Sequence, residues 1–362
     1  MRLHAAVFMP PALCSSEDRY DPSQERLDLP AIQAGLDEIG AHTGSPGALL
    51  PFKLACSIYE HQLKLWGSVV ATIESMRECL MFVAAAMDLV RYYRCVRNTR
   101  GLRALSKHFK LLGPGFFGVA GTYTVQQSKG SMLRKLLGDQ GYEMPTDEKA
   151  KDAVRKSVEL MLALAAMNTF ERVEVEDPDD SGRAAPNPDI IIDYEDHRYG
   201  IACKSLSSPN EENFKKRIAE GLGQIDRAIK ADKVDRDRGV LIIDISALLD
   251  HERLFVPVKG QLWDCQATGA ILLSAMGEAM VKVFGSPLRT YAEILAEPFK
   301  DHDLPVGILL YGHALMICQN IQGGIAPFYQ KGLIQGFGND VSSISAICKE
   351  LNNAIHCQRS GR

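Results

Sequence analysis

Apolar residues recur at three- and four-residue steps through much of the first 140 positions. That spacing predicts helices over "LPAIQAGLDEI" (29–39), a long run from Leu54 to Arg97, and "RALSKHFKLL" (103–112). Glycine, proline and aromatics break the pattern at 112–131, which reads as a loop. A further helix is predicted from Met144 to Phe170, with Asp147 and Glu148 in its first turn, where acids suit the helix dipole. The period then changes to two. "ERVEVE" (171–176), "PDIIIDYE" (188–195) and "GIACKSL" (200–206) read as strands, separated by "DPDDSGRAAPN" and the short "DHRYG" connection. A helix over 211–231 leads to the apolar strand "GVLIIDIS" (239–246).

The order is helix, three strands, helix, strand. Short turns predict antiparallel pairing among the three strands, at least in part, and the crossover helix can deliver the next strand as a parallel neighbour. The unbroken apolar character of that strand predicts a sheet centre covered on both faces. Helices at 267–285, 290–299 and 341–356 and strands at 306–319 and 325–337 follow, expected to extend the same sheet or pack on it. The expected class is α/β: a mixed sheet flanked by helices, with a helical N-terminal region. Three stretches are expected: 1–141, mainly helical; 142–250, the core; and 251–362, an α/β extension packed on that core.

Length and composition add bounds. At 362 residues and 46% apolar, the chain can form two domains, or one with a large extension, folded throughout. Its nine cysteines contain no C-x-x-C pair, which predicts reduced thiols in a cytoplasmic protein. The N-terminal apolar run is broken by Pro10 and Pro11, unlike a secretion signal. The apolar stretch from Leu65 to Val90 holds Glu74, Arg77, Glu78 and Asp88, so it reads as buried helix and no membrane association is expected.

A net charge of −4 argues against a protein that coats nucleic acid, yet the charge is unevenly spread. No acid occurs over 89–138, where Arg91, Arg94, Arg97, Arg100, Arg103, Lys107 and Lys110 recur at helical steps with Tyr92 and Tyr93 among them. Such a stripe suits phosphate contacts and base stacking. It equally suits a solvated face, or a partner for the acidic N-terminal segment.

The stretch "NPDIIIDYEDHRYGIACKSLS" (187–207) carries the chemistry. Alternation puts Lys204 on one face with Ala202, and Asp189 on one face with Ile191 and Asp193. Pairing across "DHRYG" would bring an acid and a lysine together at one end of the sheet. Phosphodiester hydrolysis uses such a set: carboxylates hold Mg²⁺, and a lysine positions water or stabilises charge developing on phosphate.

With Pro188-Asp189, Ala202-Cys203-Lys204 and this element order, the segment from about Thr146 to Ser246 resembles the PD-(D/E)XK nuclease superfamily, the restriction-endonuclease-like fold. The resemblance implies a metal-dependent nuclease acting on nucleic acid, DNA foremost, in defence or repair. It implies Mg²⁺ or Mn²⁺ on Asp189 and on Glu159 of the preceding helix, with Lys204 catalytic and Gln224 orienting one of these groups. The departure is Ala202, which stands where the family has an acid. Glu159, Asp193 and Glu220 are the candidates to replace it. Glu159 interrupts an apolar segment, where a charge is costly unless paired or metal-bound; a salt bridge to Arg155 would equally explain it. Asp193 suits a strand end beside a turn, and Glu220 a charged helix surface.

The alternative is a nuclease-fold module without catalysis, kept for nucleic-acid binding or protein assembly; self-association or a partner protein suits either reading. A purely structural partner protein is the third. "GPGFFG" lacks the strand–turn–helix context of a dinucleotide site, "DHD" (301–303) reads as a polar loop, and Cys203 with His197 reads as a buried thiol rather than a nucleophile.

Overall fold

A computed structural model describes residues 28–44, 46–66, 83, 86–91, 93–94, 147–176, 188–255, 261, 263, 265–285, 306–319, 325–337 and 341–356. Seven helices are bounded there: α1 (Leu29–Thr43), α2 (Leu50–Trp66), α3 (Asp147–Thr169), α4 (Glu211–Lys230), α5 (His251–Phe255), α6 (Cys265–Phe284) and α7 (Val341–His356). The strands are β1 (Val173–Val175), β2 (Ile190–Tyr194), β3 (His197–Ser205), β4 (Gly239–Asp244), β5 (Val306–Gln319) and β6 (Ile325–Phe337).

All six strands form one sheet in sequence order. β1–β2 and β2–β3 pair antiparallel, β3–β4 and β4–β5 parallel, and β5–β6 antiparallel. The chain is therefore α/β with a mixed sheet, and α4 makes the crossover from β3 to β4. The two C-terminal strands extend the sheet rather than forming a separate layer.

Local chemistry sets the boundaries. Asp28 caps α1 by accepting from the Ala31 amide at 3.1 Å, and Gly44 (φ 66°) ends it in the left-handed conformation. The Asn210 side chain accepts from the amides of Glu212 and Asn213 at the start of α4, with Glu211 and Glu212 in its first turn and Arg227 and Lys230 in its last. The β2–β3 turn is tighter than the sequence suggests. Tyr194 pairs with His197, leaving only Glu195 (φ 48°) and Asp196 (φ 62°) between the strands. Both take the left-handed conformation that matches hairpin twist. β3 thus starts at His197, three residues before the predicted strand, because "DHRYG" is mostly strand. The helix predicted over 54–97 is described at Leu50–Trp66 and again at 86–91; the predicted elements at 103–131 and 290–299 lie outside the described residues.

Two apolar layers cover the sheet. On one face α3, α7 and the N-terminal helices pack on Ile190, Ile192, Ile201, Cys203, Val240, Ile242, Leu309 and Tyr311. On the other, α4 and α6 pack on Ala202, Leu241, Ile243, Ile308 and Leu310. β4 is buried at every residue and feeds both layers alternately, as its sequence predicts. Among the described residues, Ala267–Phe284 of α6 is long and apolar enough to cross a membrane; here its Leu272, Met276, Ala279, Met280 and Val283 pack on the second face.

Candidate active site

The β2–β3 register pairs Ile190 with Ile201. One step beyond, Asp189 comes opposite Ala202, and Asp189 Oδ2 accepts from the Cys203 amide at 2.6 Å. That bond ties the start of β2 to the middle of β3. By parity Asp189 and Lys204 lie on the face that α4 covers, and α4 brings Gln224 to them. Gln224 Nε2 donates to Asp189 Oδ1 at 3.2 Å, while its Oε1 accepts from Lys204 Nζ at 2.6 Å. Lys204 Nζ also lies 3.1 Å from the Cys203 carbonyl and 3.8 Å from Asp189 Oδ2. The Asp189 and Lys204 side chains are only 7% and 13% exposed, so little water screens the pair. Three of the four residues named from the sequence are therefore in mutual contact.

Glu159, the fourth, is buried on α3, whose apolar residues pack on the opposite face of the sheet from α4. The other replacements for the missing acid are engaged elsewhere. Asp193 lies near the hairpin turn, 3.8 Å from Arg172 and 3.9 Å from Arg198, and Glu220 bonds Arg217 at 2.7 Å. Ala202 is fully buried among the apolar residues of α4 and β4.

The Lys204 ammonium marks where this site holds a cation, and the atoms facing it are oxygens of a carboxylate, an amide and a backbone carbonyl. Those are hard donors of the kind Mg²⁺ takes, and Mg²⁺ commonly needs only one or two carboxylates, water and substrate phosphate completing its shell. The donor types thus fit a divalent ion held by Asp189 and the Cys203 carbonyl. Among the described residues no group of three or more His, Cys, Asp or Glu side chains is placed to hold a metal, so the fit rests on a single carboxylate.

Of the basic stripe, Arg91 turns inward: it lies 3.6 Å from Asp88 and donates to the Ile355 carbonyl at 3.3 Å. Arg94 is exposed, and Arg97, Arg100, Arg103, Lys107 and Lys110 lie outside the described residues, as do "GPGFFG" and "DHD". Cys203 is buried within its strand, and His197 sits at that strand's other end, 3.5 Å from Asp235.

A second buried polar cluster escaped the sequence reading. Ser246 Oγ donates to Asp244 Oδ1 at 2.5 Å and receives the His313 amide at 3.0 Å. Ser246 Oγ also lies 2.8 Å from His313 Nδ1. Burial holds the Asp244 carboxyl above the ordinary carboxylate range, opposed by hydrogen bonds from Ser246 and Ser205. Burial, with His251 and Lys331 nearby, holds His313 well below the ordinary imidazole value. A lone acid in "GVLIIDIS" and a lone histidine in "ILLYGHALM" were the available signals, since buried polar groups require partners.

Comparison with protein-family models, curated proteins and solved structures returns no match for this chain.

Proposed function

We propose that Asp189, Lys204 and Gln224 form the active site of a metal-dependent nuclease of the PD-(D/E)XK, restriction-endonuclease-like kind, hydrolysing phosphodiester bonds of nucleic acid, DNA foremost. One observation carries the reading: an acid just before β2, a lysine on β3 and a glutamine on α4 meet through hydrogen bonds at one end of the sheet, within an α–β–β–β–α–β unit. Asp189 and the Cys203 carbonyl would hold Mg²⁺ or Mn²⁺, which neutralises phosphate and lowers the pKa of a bound water. Lys204 then serves the attacking water or the charge gathering on phosphate. Gln224 is a positioning residue, holding the ammonium through Oε1 and the carboxylate through Nε2. A role in defence or repair accords with this activity.

Ala202 supports a second reading. It lies opposite Asp189, in an apolar environment, where a second acid would sit, and this suits a module of the same fold retained for nucleic-acid binding or protein assembly. Cleavage of supercoiled and linear DNA with Mg²⁺ or Mn²⁺ separates the two. Metal-dependent cutting should fall at least about 100-fold in both Asp189→Ala and Lys204→Ala, roughly what one electrostatic or acid–base group contributes. Glu159→Ala then tests whether the buried acid on α3 contributes. Absence of cutting by the wild type under all these conditions favours the binding module. Cutting that survives both substitutions places the chemistry elsewhere.

A further inference from the structure

We propose that Arg217 extends the site along α4, binding a second phosphate of the nucleic-acid strand that reaches Lys204, and that Glu220 holds its guanidinium until the strand arrives. The inference rests on the reading that nucleic acid enters at this sheet end, which the nuclease and the binding module share.

Helix phase selects the residue. At about 100° per residue, seven positions bring a helix back to within about 20° of the same direction, so Arg217 points the way Gln224 does. Gln224 is the α4 residue bonded to both Asp189 and Lys204. The other basic residues of α4 turn elsewhere. Arg227 and Lys216 lie about 60° and 80° round from Gln224, and Lys215 and Lys230 more than about 100°. Lys215 pairs with Glu211, and Lys230 with Asp226.

Position along the axis selects the same residue. Lys204 is the last residue but one of β3, and α4 runs back antiparallel to that strand, as a crossover between the parallel strands β3 and β4 requires. Passing from Gln224 to Arg217 therefore leads past Lys204 and beyond the sheet end, by about 10 Å. Exposure rises the same way: the Asp189 and Lys204 side chains are 7% and 13% exposed, those of Arg217 and Glu220 38% and 37%.

Arg217 Nη1 donates to Glu220 Oε2 at 2.7 Å. A half-exposed pair three residues apart on a helix is weak, so it orients the guanidinium without withholding it from a stronger acceptor. Phosphate is such an acceptor, taking two parallel N–H bonds from one arginine. The step of about 10 Å equals roughly three nucleotides of a duplex strand at about 3.4 Å each, so one strand can serve Lys204 and Arg217 together.

The test is the salt dependence with which the full chain binds a fluorescein-labelled DNA duplex, followed by fluorescence anisotropy in EDTA so that no cutting intervenes. Arg217→Ala should bind at least about fivefold more weakly than wild type and lower the slope of log affinity against log salt by about one. Arg217→Lys should keep the slope, and Glu220→Gln should bind at least as tightly as wild type. Lys230→Ala removes the same charge from another side of α4 and should leave both quantities near wild type. Arg217→Ala that binds like wild type, or that loses no more than Lys230→Ala, overturns the inference while leaving the nuclease reading intact. Weaker binding by Glu220→Gln overturns the role given to the acid. Wild type without affinity for DNA even at low salt overturns the inference together with the DNA reading. Cutting by the wild type once Mg²⁺ or Mn²⁺ is supplied decides the nuclease reading separately.

Discussion

At the residue scale, the buried charges divide by whether their partners come from neighbouring strands or from distant elements. Asp189 and Lys204 were legible because a hairpin with a short connection forces both toward one sheet end, and alternation gives their face. Gln224 was named only through the family resemblance, since nothing in a lone polar residue on a charged helix marks it. The Cys203 amide and carbonyl were not legible, since backbone groups leave no mark in the sequence, and the Asp244–Ser246–His313 cluster was not, since it needs the β4–β5 register. That cluster has a measurable consequence. A histidine kept neutral by burial binds its proton more readily in the unfolded chain, so below about pH 6.5 acid favours unfolding. The His313 contribution to stability is complete above that pH and falls, with descending pH, by up to about 1.4 kcal/mol per unit until its depressed folded value is reached. Asp244 acts with the opposite sign: its raised folded value makes acid protective above about pH 3.9. Denaturant unfolding of wild type and His313→Asn from pH 7.5 to 5 checks the first term. The two should run parallel above about pH 6.5, and below it the wild type should lose stability relative to the variant, the widening difference being the His313 share.

At the scale of elements, the first half of the core was readable from period and turn chemistry, whereas the sheet's full width was not. β5 and β6 read as strands, but an apolar strand looks the same in an extended sheet and in a second layer. Small residues at close approaches resolve it only in three dimensions. Gly307 on β5 lies under α7, where an added Cβ would come within 2.1 Å of Ile344 Cδ1, 2.5 Å of Cγ1 and 2.7 Å of Cγ2. All three atoms belong to one buried side chain, so an added Cβ would have to displace Ile344. Gly307→Ala should therefore cost about 1–3 kcal/mol, the usual price of overpacking. Gly307→Ala combined with Ile344→Val should recover part of that loss in urea denaturation. Equal stability of wild type and Gly307→Ala would mean α7 sits further from β5 than described.

At the scale of the whole molecule, the N-terminal helices share a continuous apolar core with the sheet, and one ion pair fastens the two. Lys331 on β6 pairs with Asp88, each almost wholly buried, and Arg91 joins from the next helical turn. Lys331 also lies directly across β5–β6 from His313. Removing Lys331 leaves the buried acid with Arg91 alone: Lys331→Met should cost up to about 3–5 kcal/mol, and adding Asp88→Leu should restore part of it. Thermal melts of the single and double variants give the comparison. A single variant as stable as wild type would mean that the pair does not fasten the two regions.

The same pair has a consequence during synthesis. Asp88 and Lys331 are 243 residues apart, so the acid leaves the ribosome with only Arg91 beside it, long before Lys331 has been made. At about 5–20 residues per second, it waits roughly 12–50 s. Through that interval the nascent helix around Asp88 carries an acid on the surface destined for the core, which opposes early burial. The last hairpin, β5–β6, thus completes the sheet and also removes that obstacle, and a ribosome stalled before Lys331 should present a chain whose N-terminal helices remain open to protease.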